Sequence, residues 1–333
     1  MKTMLLAVGG NSLIRAGEKG TIAEQLANAR RTAAQIVALI REGYRMVLTH
    51  GNGPQVGAAL LRSERGASQV PGHPLDVCDA STQGEIGYLL QQVLENELEA
   101  AGLQVPVVTV LTQSLVSLDD PAMNHPSKPI GPFYSQAEAE ERRRALGWEI
   151  VEDALRGYRR IVPSPQPIEI VEADVIHDLV ELGVLVIACG GGGIPVARQN
   201  GILQGVEAVI DKDRASALLA SRLGMDLFVI STDTEYVYLN YKTPGQQALR
   251  RVTAAELEAY GQAGHFPPGN MGPKVESALR FLRYGGRECI ITSCEHLAEA
   301  VGGGAGTHIF PDHEKAGTEQ EFSMEVPVGG LTT

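Results

Sequence analysis

Apolar positions along the chain fall in short runs separated by segments of helical period, and several runs end in glycine. Residues 4–8 are apolar throughout and stop at Gly9-Gly10-Asn11-Ser12, the pattern of a buried strand entering a loop. Over 22–42, Leu26, Ile36, Leu39 and Ile40 recur on or near one face before Gly43, which predicts an amphipathic helix with a glycine stop. Residues 45–49 predict a second strand, running into His50-Gly51-Asn52-Gly53-Pro54 and then a helix rich in Ala and Leu. A further helix is expected over 82–101 and a strand over 105–111. Residues 117–168 change character, with Pro121, Pro126, Pro129, Pro132, Pro163, Pro165 and Pro167 around a charged helical stretch, 136–146. They read as an inserted subdomain or lid, with Lys128 in a proline-rich loop.

The second half resumes the alternation. Residues 184–188 predict a buried strand entering Gly190-Gly191-Gly192-Gly193, and Asp211-Lys212-Asp213 stands at a strand end or helix mouth ahead of the helix-forming 215–223. Residues 227–231 predict a strand, 253–261 a helix, and Gly269-Asn270-Met271-Gly272-Pro273-Lys274 opens a helix over 274–284. Residues 289–293 are expected to be the last strand, followed from Gly302 by a Gly-rich, then acidic tail, partly disordered.

Strand–loop–helix alternation argues for a parallel sheet with helices on its faces. In such open sheets ligands sit beyond the carboxyl ends of the strands. The two Gly-Asn loops lie at such ends and precede helices. One alone is ordinarily a tight turn; two in consecutive units point to anion binding at helix N-termini. Four successive glycines let backbone approach a ligand and can form an anion cradle. A lysine between two aspartates is commonly a solvated triplet, but its place at a helix mouth makes phosphate handling the alternative. Lys274 at a helix start is disfavoured by the dipole unless an anion is present. Neither GxGxxG nor GxxxxGK[ST] occurs, so neither dinucleotide nor P-loop binding is supported.

Length and charge narrow the classes. At 333 residues, 44% hydrophobic and 5% aromatic, the chain fits one large α/β domain or two lobes with a sizeable core. A net charge of −12 argues against a nucleic-acid surface. Cys78, Cys189, Cys289 and Cys294 form no CxxC pair, so reduced thiols in a cytosol are expected. The N-terminal apolar run is too short for a signal peptide, and no segment approaches the ~20 apolar residues of a spanning helix.

Taken together, AVGGNSL (7–13), HGNGPQVG (50–57), PLDVC (74–78), TQGEIGY (82–88), VLTQ (110–113), KPIGPF (128–133), RGYRRIVPSP (156–165), GGGGIPV (190–196), GVEAVIDKDRAS (205–216), AGHFPPGNMGPK (263–274) and ITS (291–293) resemble the carbamate kinase family, within the amino acid kinase superfamily. The match covers nearly the whole chain in the family's order. It departs from the family pattern at Ser12, Asp79, Ser81, Leu155, 231–235 and Asn270.

The resemblance implies an α/β fold: a three-layer αβα sandwich around a mainly parallel open sheet, with a small protruding subdomain. It implies one amino acid kinase domain over 1–333, with an acyl-phosphate/carbamate lobe at 1–180 that includes the 117–168 lid, and a nucleotide lobe at 181–333. It implies a cytoplasmic homodimer that catalyses reversible phosphoryl transfer between carbamoyl phosphate and ADP, with ATP/ADP and Mg2+ as cofactors, in arginine or purine/ureide breakdown. Lys128, Lys212 and Lys274 would neutralise the transferred group, oriented by Asp213. Gly9, Gly10, Asn11, Gly51, Asn52 and Gly53 would hold the acyl phosphate. Gly190, Gly191, Gly192, Gly193, Asp233, Tyr241, Gly269, Asn270 and Met271 would hold the nucleotide. No side chain is assigned to a metal. A divergent acyl-phosphate kinase and a non-enzymatic sensor of carbamoyl phosphate or nucleotide stay open as alternatives at this stage; retention of all three lysines counts against the sensor.

Overall fold

The structure, a computed structural model, describes residues 2–9, 12–15, 17–152, 157–267 and 271–312. Among these, eight strands make one sheet: β1 (Lys2–Val8), β2 (Tyr44–His50), β3 (Val107–Thr109), β4 (Leu185–Ile187), β5 (Leu227–Thr232), β6 (Arg251–Thr253), β7 (Glu288–Ser293) and β8 (Thr307–Phe310), in the order β6-β8-β7-β5-β1-β2-β4-β3. Every neighbouring pair is parallel except β7 with β8. The central strands are apolar on both faces, as a sheet covered on both sides requires.

The helices are α1 (Ile22–Arg41), α2 (Gly53–Gly66), α3 (Leu75–Ala100), α4 (Gln136–Leu146), α5 (Ala173–Glu181), α6 (Lys212–Arg222), α7 (Ala254–Gln262), α8 (Met271–Arg283) and α9 (Leu297–Val301). Strand alternation sorts them into two layers. Met4, Leu6 and Val8 pack with Ile36 of α1, Leu90 of α3 and Leu297 of α9. Leu5, Ala7 and Phe228 pack with Ile176 of α5, Leu219 of α6 and Phe281 of α8. This is the expected αβα sandwich. No helix among the described residues is long and apolar enough to cross a membrane.

The inserted segment folds around a three-stranded sheet, Lys128–Tyr134, Tyr158–Val162 and Ile150–Glu152, with α4 alongside. Ser135 and Glu138 close a capping box at the start of α4, and Gly147 ends it at φ 67°, the left-handed stop that glycine favours. Lys128 therefore opens a strand instead of lying in a proline-rich loop. That strand is an edge, where prolines that cannot donate to a ladder are tolerated. It docks on α2 so closely that a Cβ on Gly57 would lie 1.9 Å from the Cα of Gly131.

Three further expectations are corrected. Helix α3 begins at Leu75, two turns before 82, because burial of Leu75, Cys78 and Asp79 outweighs weak helix propensity in that stretch. The strand over 289–293 is not the last, since Thr307–Phe310 pairs antiparallel with it. A hairpin, Ile194–Gln199 with Ile202–Gly205, was not anticipated. Its turn is Asn200-Gly201, both at positive φ, the chemistry of a two-residue hairpin turn.

Candidate active site

Strand β1 lies between β2 and β5: the chain first fills the β2 side, through β4 and β3, and then crosses back to lay β5 on the other side of β1. Such a reversal opens a crevice at the carboxyl ends of the strands. Gly9, the Gly51–Asn52 loop, the Gly190–Gly193 turn and Asp233 follow β1, β2, β4 and β5 respectively, and all lie at that edge. The amino ends of α2, α6 and α8 come to the same edge. Gly10, Asn11, Gly269 and Asn270 lie outside the described residues.

Asp211 ends an apolar run and caps α6, its Oδ1 accepting from the backbone N–H of Asp213 at 3.0 Å and of Arg214 at 3.4 Å. That cap places Lys212 and Asp213 in the first helical turn. Asp213 is 4% exposed, and its two oxygens are divided between two ammonium groups. Lys212 Nζ lies 2.5 Å from Oδ1, and Lys274 Nζ, from the first turns of α8, lies 2.9 Å from Oδ2. Lys128 reaches in from the inserted sheet, its Nζ 2.6 Å from Oδ2 of Asp211. Three lysines predicted from scattered motifs are thus brought together around two carboxylates, leaving one excess positive charge.

The environment tunes these groups. Burial opposes ionisation of Asp213, but Lys212 and Lys274 override it and hold the carboxyl below the usual range. Asp211 behaves likewise: burial is outweighed by Lys128 first, then Lys212 and Lys274. For Lys274 the burial penalty is exceeded by Asp213, so its pKa is raised. Lys212 goes the other way, because burial and the neighbouring Lys274 exceed the help of Asp213. Two adjacent buried ammonium groups that share one carboxylate are primed for a further anion, which would relieve their mutual repulsion.

Beside this cluster, backbone closeness governs. Gly191, Gly192 and Gly193 have φ of 69°, 103° and 87°. A Cβ on Gly190 would come 2.5 Å from the His50 ring, on Gly191 2.2 Å from Asn52 Nδ2, and on Gly193 2.2 Å from Ser114 Oγ. The turn therefore packs directly on the Gly51–Gly53 loop. Asn52 is itself fixed: its Nδ2 donates to Asp79 Oδ1 and Thr82 Oγ1, each at 2.9 Å. Because the Thr82 hydroxyl donates to the Asp79 carbonyl, its oxygen must accept here, which sets the Asn52 amide. Asp79 is buried and its carboxyl is pushed well above the usual range, chiefly by burial. His50 is lowered to about 4 by burial and is neutral near pH 7.

Of the remaining predicted residues, Tyr241 is 44% exposed and stacks on Tyr238 with centroids 5.8 Å apart. Asp233 acts electrostatically on Lys274, and Met271 opens α8. Two carboxylates carry parts that sequence reasoning did not assign. Asp211 was visible as a capping residue ahead of a helix, but its lysine partner is 83 positions away. Asp79 was visible only as a departure from the family pattern, ahead of the helix expected from 82, and its contact with Asn52 was not.

Among the described residues the arrangement supplies positive charge and backbone donors with no nucleophilic side chain at its centre, which suits transfer of a phosphoryl group between two bound oxygens. Comparison with known proteins agrees. A model of the amino acid kinase family matches residues 2–293. The chain is 49% identical over 312 residues to the carbamate kinase of Thermococcus kodakarensis, covering 93% of this chain and 99% of that one. It is 48% identical over 303 residues to carbamate kinase 1 of Enterococcus faecium, covering 90% and 96%. Among solved structures, carbamate kinase from Giardia lamblia bound to AMP-PNP superposes with a TM-score of 0.88 at 43% identity, over 93% of this chain and 99% of that one. With its sheet order, its crevice and its sequence all in accord, the chain belongs to the amino acid kinase family.

Proposed function

We propose that this chain catalyses the carbamate kinase reaction, the reversible transfer of a phosphoryl group between carbamoyl phosphate and ADP to give carbamate and ATP. The observation that carries the reading is the pair of ammonium groups on the two oxygens of Asp213, with a third lysine beside them, in a chain 49% identical over nearly its whole length to a carbamate kinase. In this reading Lys212 and Lys274 stabilise charge on the equatorial oxygens in flight, and Asp213 keeps them apart and aimed. The backbone N–H groups of Gly51 to Gly53, at the amino end of α2, face the acyl group, joined by the first glycine loop, Gly9 to Asn11. The Gly190–Gly193 turn, Asp233, Tyr241 and the 269–271 segment serve the nucleotide. The acyl-phosphate half is 1–180, the nucleotide half 181–333.

The residues fit a nucleotide polyphosphate: buried lysines with excess charge and a side-chain-free turn. Magnesium, when bound with the nucleotide, would offset the charge of its phosphates. Asp211 and Asp213 are both engaged by lysines, so the ion would be held mainly through the nucleotide and not by these carboxylates. Activity is expected to disappear in excess chelator and to return on adding magnesium; full turnover without free divalent metal would contradict this.

Lys128 belongs to a different element from the other two lysines, and its removal should separate chemistry from nucleotide binding. Lys128→Ala is expected to lower turnover on carbamoyl phosphate by about tenfold or more while calorimetry finds ADP affinity little changed. A large loss of ADP binding would place the lysine on the nucleotide side. The exposed Val77 and Tyr88 on one face of α3 support a homodimer, and the buried free thiols support a cytoplasmic location. The test of the function itself is ATP formation by purified protein from ADP and carbamoyl phosphate, with carbamate released.

A further inference from the structure

We propose that Asp211 is the positioning residue for Lys128: a carboxylate on the core that seats the lysine of the inserted sheet at the phosphoryl-transfer site. The inference rests on the proposed reaction for its kinetic consequence, but not for its structural one.

Asp211 does two things with its two oxygens. Oδ1 is committed to the α6 amino end, accepting from Asp213 N and Arg214 N. Oδ2 faces outward and receives Lys128 Nζ at 2.6 Å, with the carboxylate side chain 13% exposed and the lysine 33%. The capping bonds fix the carboxylate plane, so Oδ2 is a stationary acceptor, and the flexible lysine stem is the part that must be ordered. Ordering a lysine side chain costs rotamer entropy, which a fixed, half-desolvated partner can offset where a solvated one cannot.

The remainder of the inserted sheet points the same way. Its edge strand is pressed on α2 at the Gly57–Gly131 crossing. The backbone N–H of Val209 donates to the Pro163 carbonyl at 3.0 Å, two residues from Asp211 and one residue past the strand partner of Lys128, Val162. Arg160, on the same sheet, is half-buried and is acted on by the core carboxylates Glu207 and Glu64. The Lys128–Asp211 pair is thus the end of a docking seam, where that seam meets the Lys212–Asp213–Lys274 cluster. All three ammonium groups act on Asp211. An arriving phosphoryl group would find Lys128 already beside the other two.

The consequence is coupling. If Asp211 acts through Lys128, then removing both should cost no more than removing one. Asparagine keeps the capping oxygen and is as good a cap as aspartate, so Asp211→Asn spares the cap while replacing the charged acceptor of Lys128 by an uncharged amide donor, and Asp211→Ser provides a second cap-preserving variant. We expect Asp211→Asn and Lys128→Ala each to lower kcat with carbamoyl phosphate and ADP by about tenfold or more, with ADP affinity unchanged. The double variant should lie within about threefold of the worse single. Independently of any turnover, amide hydrogen exchange across 128–134 should quicken in Asp211→Asn and in Lys128→Ala, and no further in the double. Thermal unfolding checks that each variant keeps the fold.

Losses that multiply in the double variant, or exchange at 128–134 that stays parental in both Asp211→Asn and Asp211→Ser, would overturn the proposal. A parent that makes no ATP from carbamoyl phosphate, yet shows the exchange coupling, would instead count against the proposed reaction and leave the docking role of Asp211 supported.

Discussion

Lys274→Ala is expected to slow phosphoryl transfer by about 10²–10³-fold, the typical cost of losing one well-placed donor at a developing charge. The lysine's pKa is raised despite burial, because Asp213 holds it charged, and its side chain is 14% exposed. Its charge is therefore present and poorly screened, and little water is at hand to substitute for it. The fold should survive, since Asp213 keeps its second partner, Lys212, at 2.5 Å. Lys212→Ala should cost a similar factor. It also tests whether Lys212, whose pKa burial lowers, acts as a cation; methylamine added back to the alanine variant should restore part of the rate if it does. Near-parental turnover in either variant, measured by single-turnover quench, would remove that lysine from the site.

The second large effect concerns stability. Asp213→Asn leaves Lys212 and Lys274 buried without the carboxylate between them, while Asp211 remains occupied by Lys128. Stripping one partner from a buried pair ordinarily costs about 3–5 kcal/mol. Denaturant unfolding should show that loss as a lower midpoint at neutral pH. The pH dependence has a definite sign. The folded-state pKa of Asp213 is below its ordinary 3.8, so its contribution is complete above the unfolded value and fades as pH falls through the folded one. The gap between parent and Asp213→Asn should therefore be constant from pH 5 to 7 and narrow below about pH 4. A gap that widened towards low pH would mean the carboxyl is protonated in the native protein. Unchanged turnover in Asp213→Asn would contradict its role as organiser.

Much of this was legible beforehand for identifiable reasons. Strands β1, β2, β4 and β5 are buried on both faces over most of their length, so each carries an apolar run, only three residues long in β2 (Met46 to Leu48), and the loops after β1, β2 and β4 must bring backbone close, so they read as glycine. Helix α4 was legible as the charged helical stretch 136–146, and the structure adds its local caps, Ser135 with Glu138 at one end and Gly147 at the other. What escaped depends on distant partners. Thr307–Phe310 is a four-residue segment directly after a Gly-rich stretch and becomes a strand only because β7 and β6 flank it. Lys128 looked like a loop residue because prolines surround it, and only the edge position of its strand makes them admissible. Asp211 stood in plain view next to Lys212, but a carboxylate's second oxygen has no sequence signature; its partner comes from within the insertion.

The proposed account stands or falls on one comparison of rates. Purified protein, with ADP and magnesium, should form ATP from carbamoyl phosphate, should form far less from acetyl phosphate at equal concentration, and should lose the carbamoyl phosphate rate with Lys274→Ala by about 10²-fold or more. Equal or faster use of acetyl phosphate, or ATP formation that persists at the parental rate in Lys274→Ala, would contradict it.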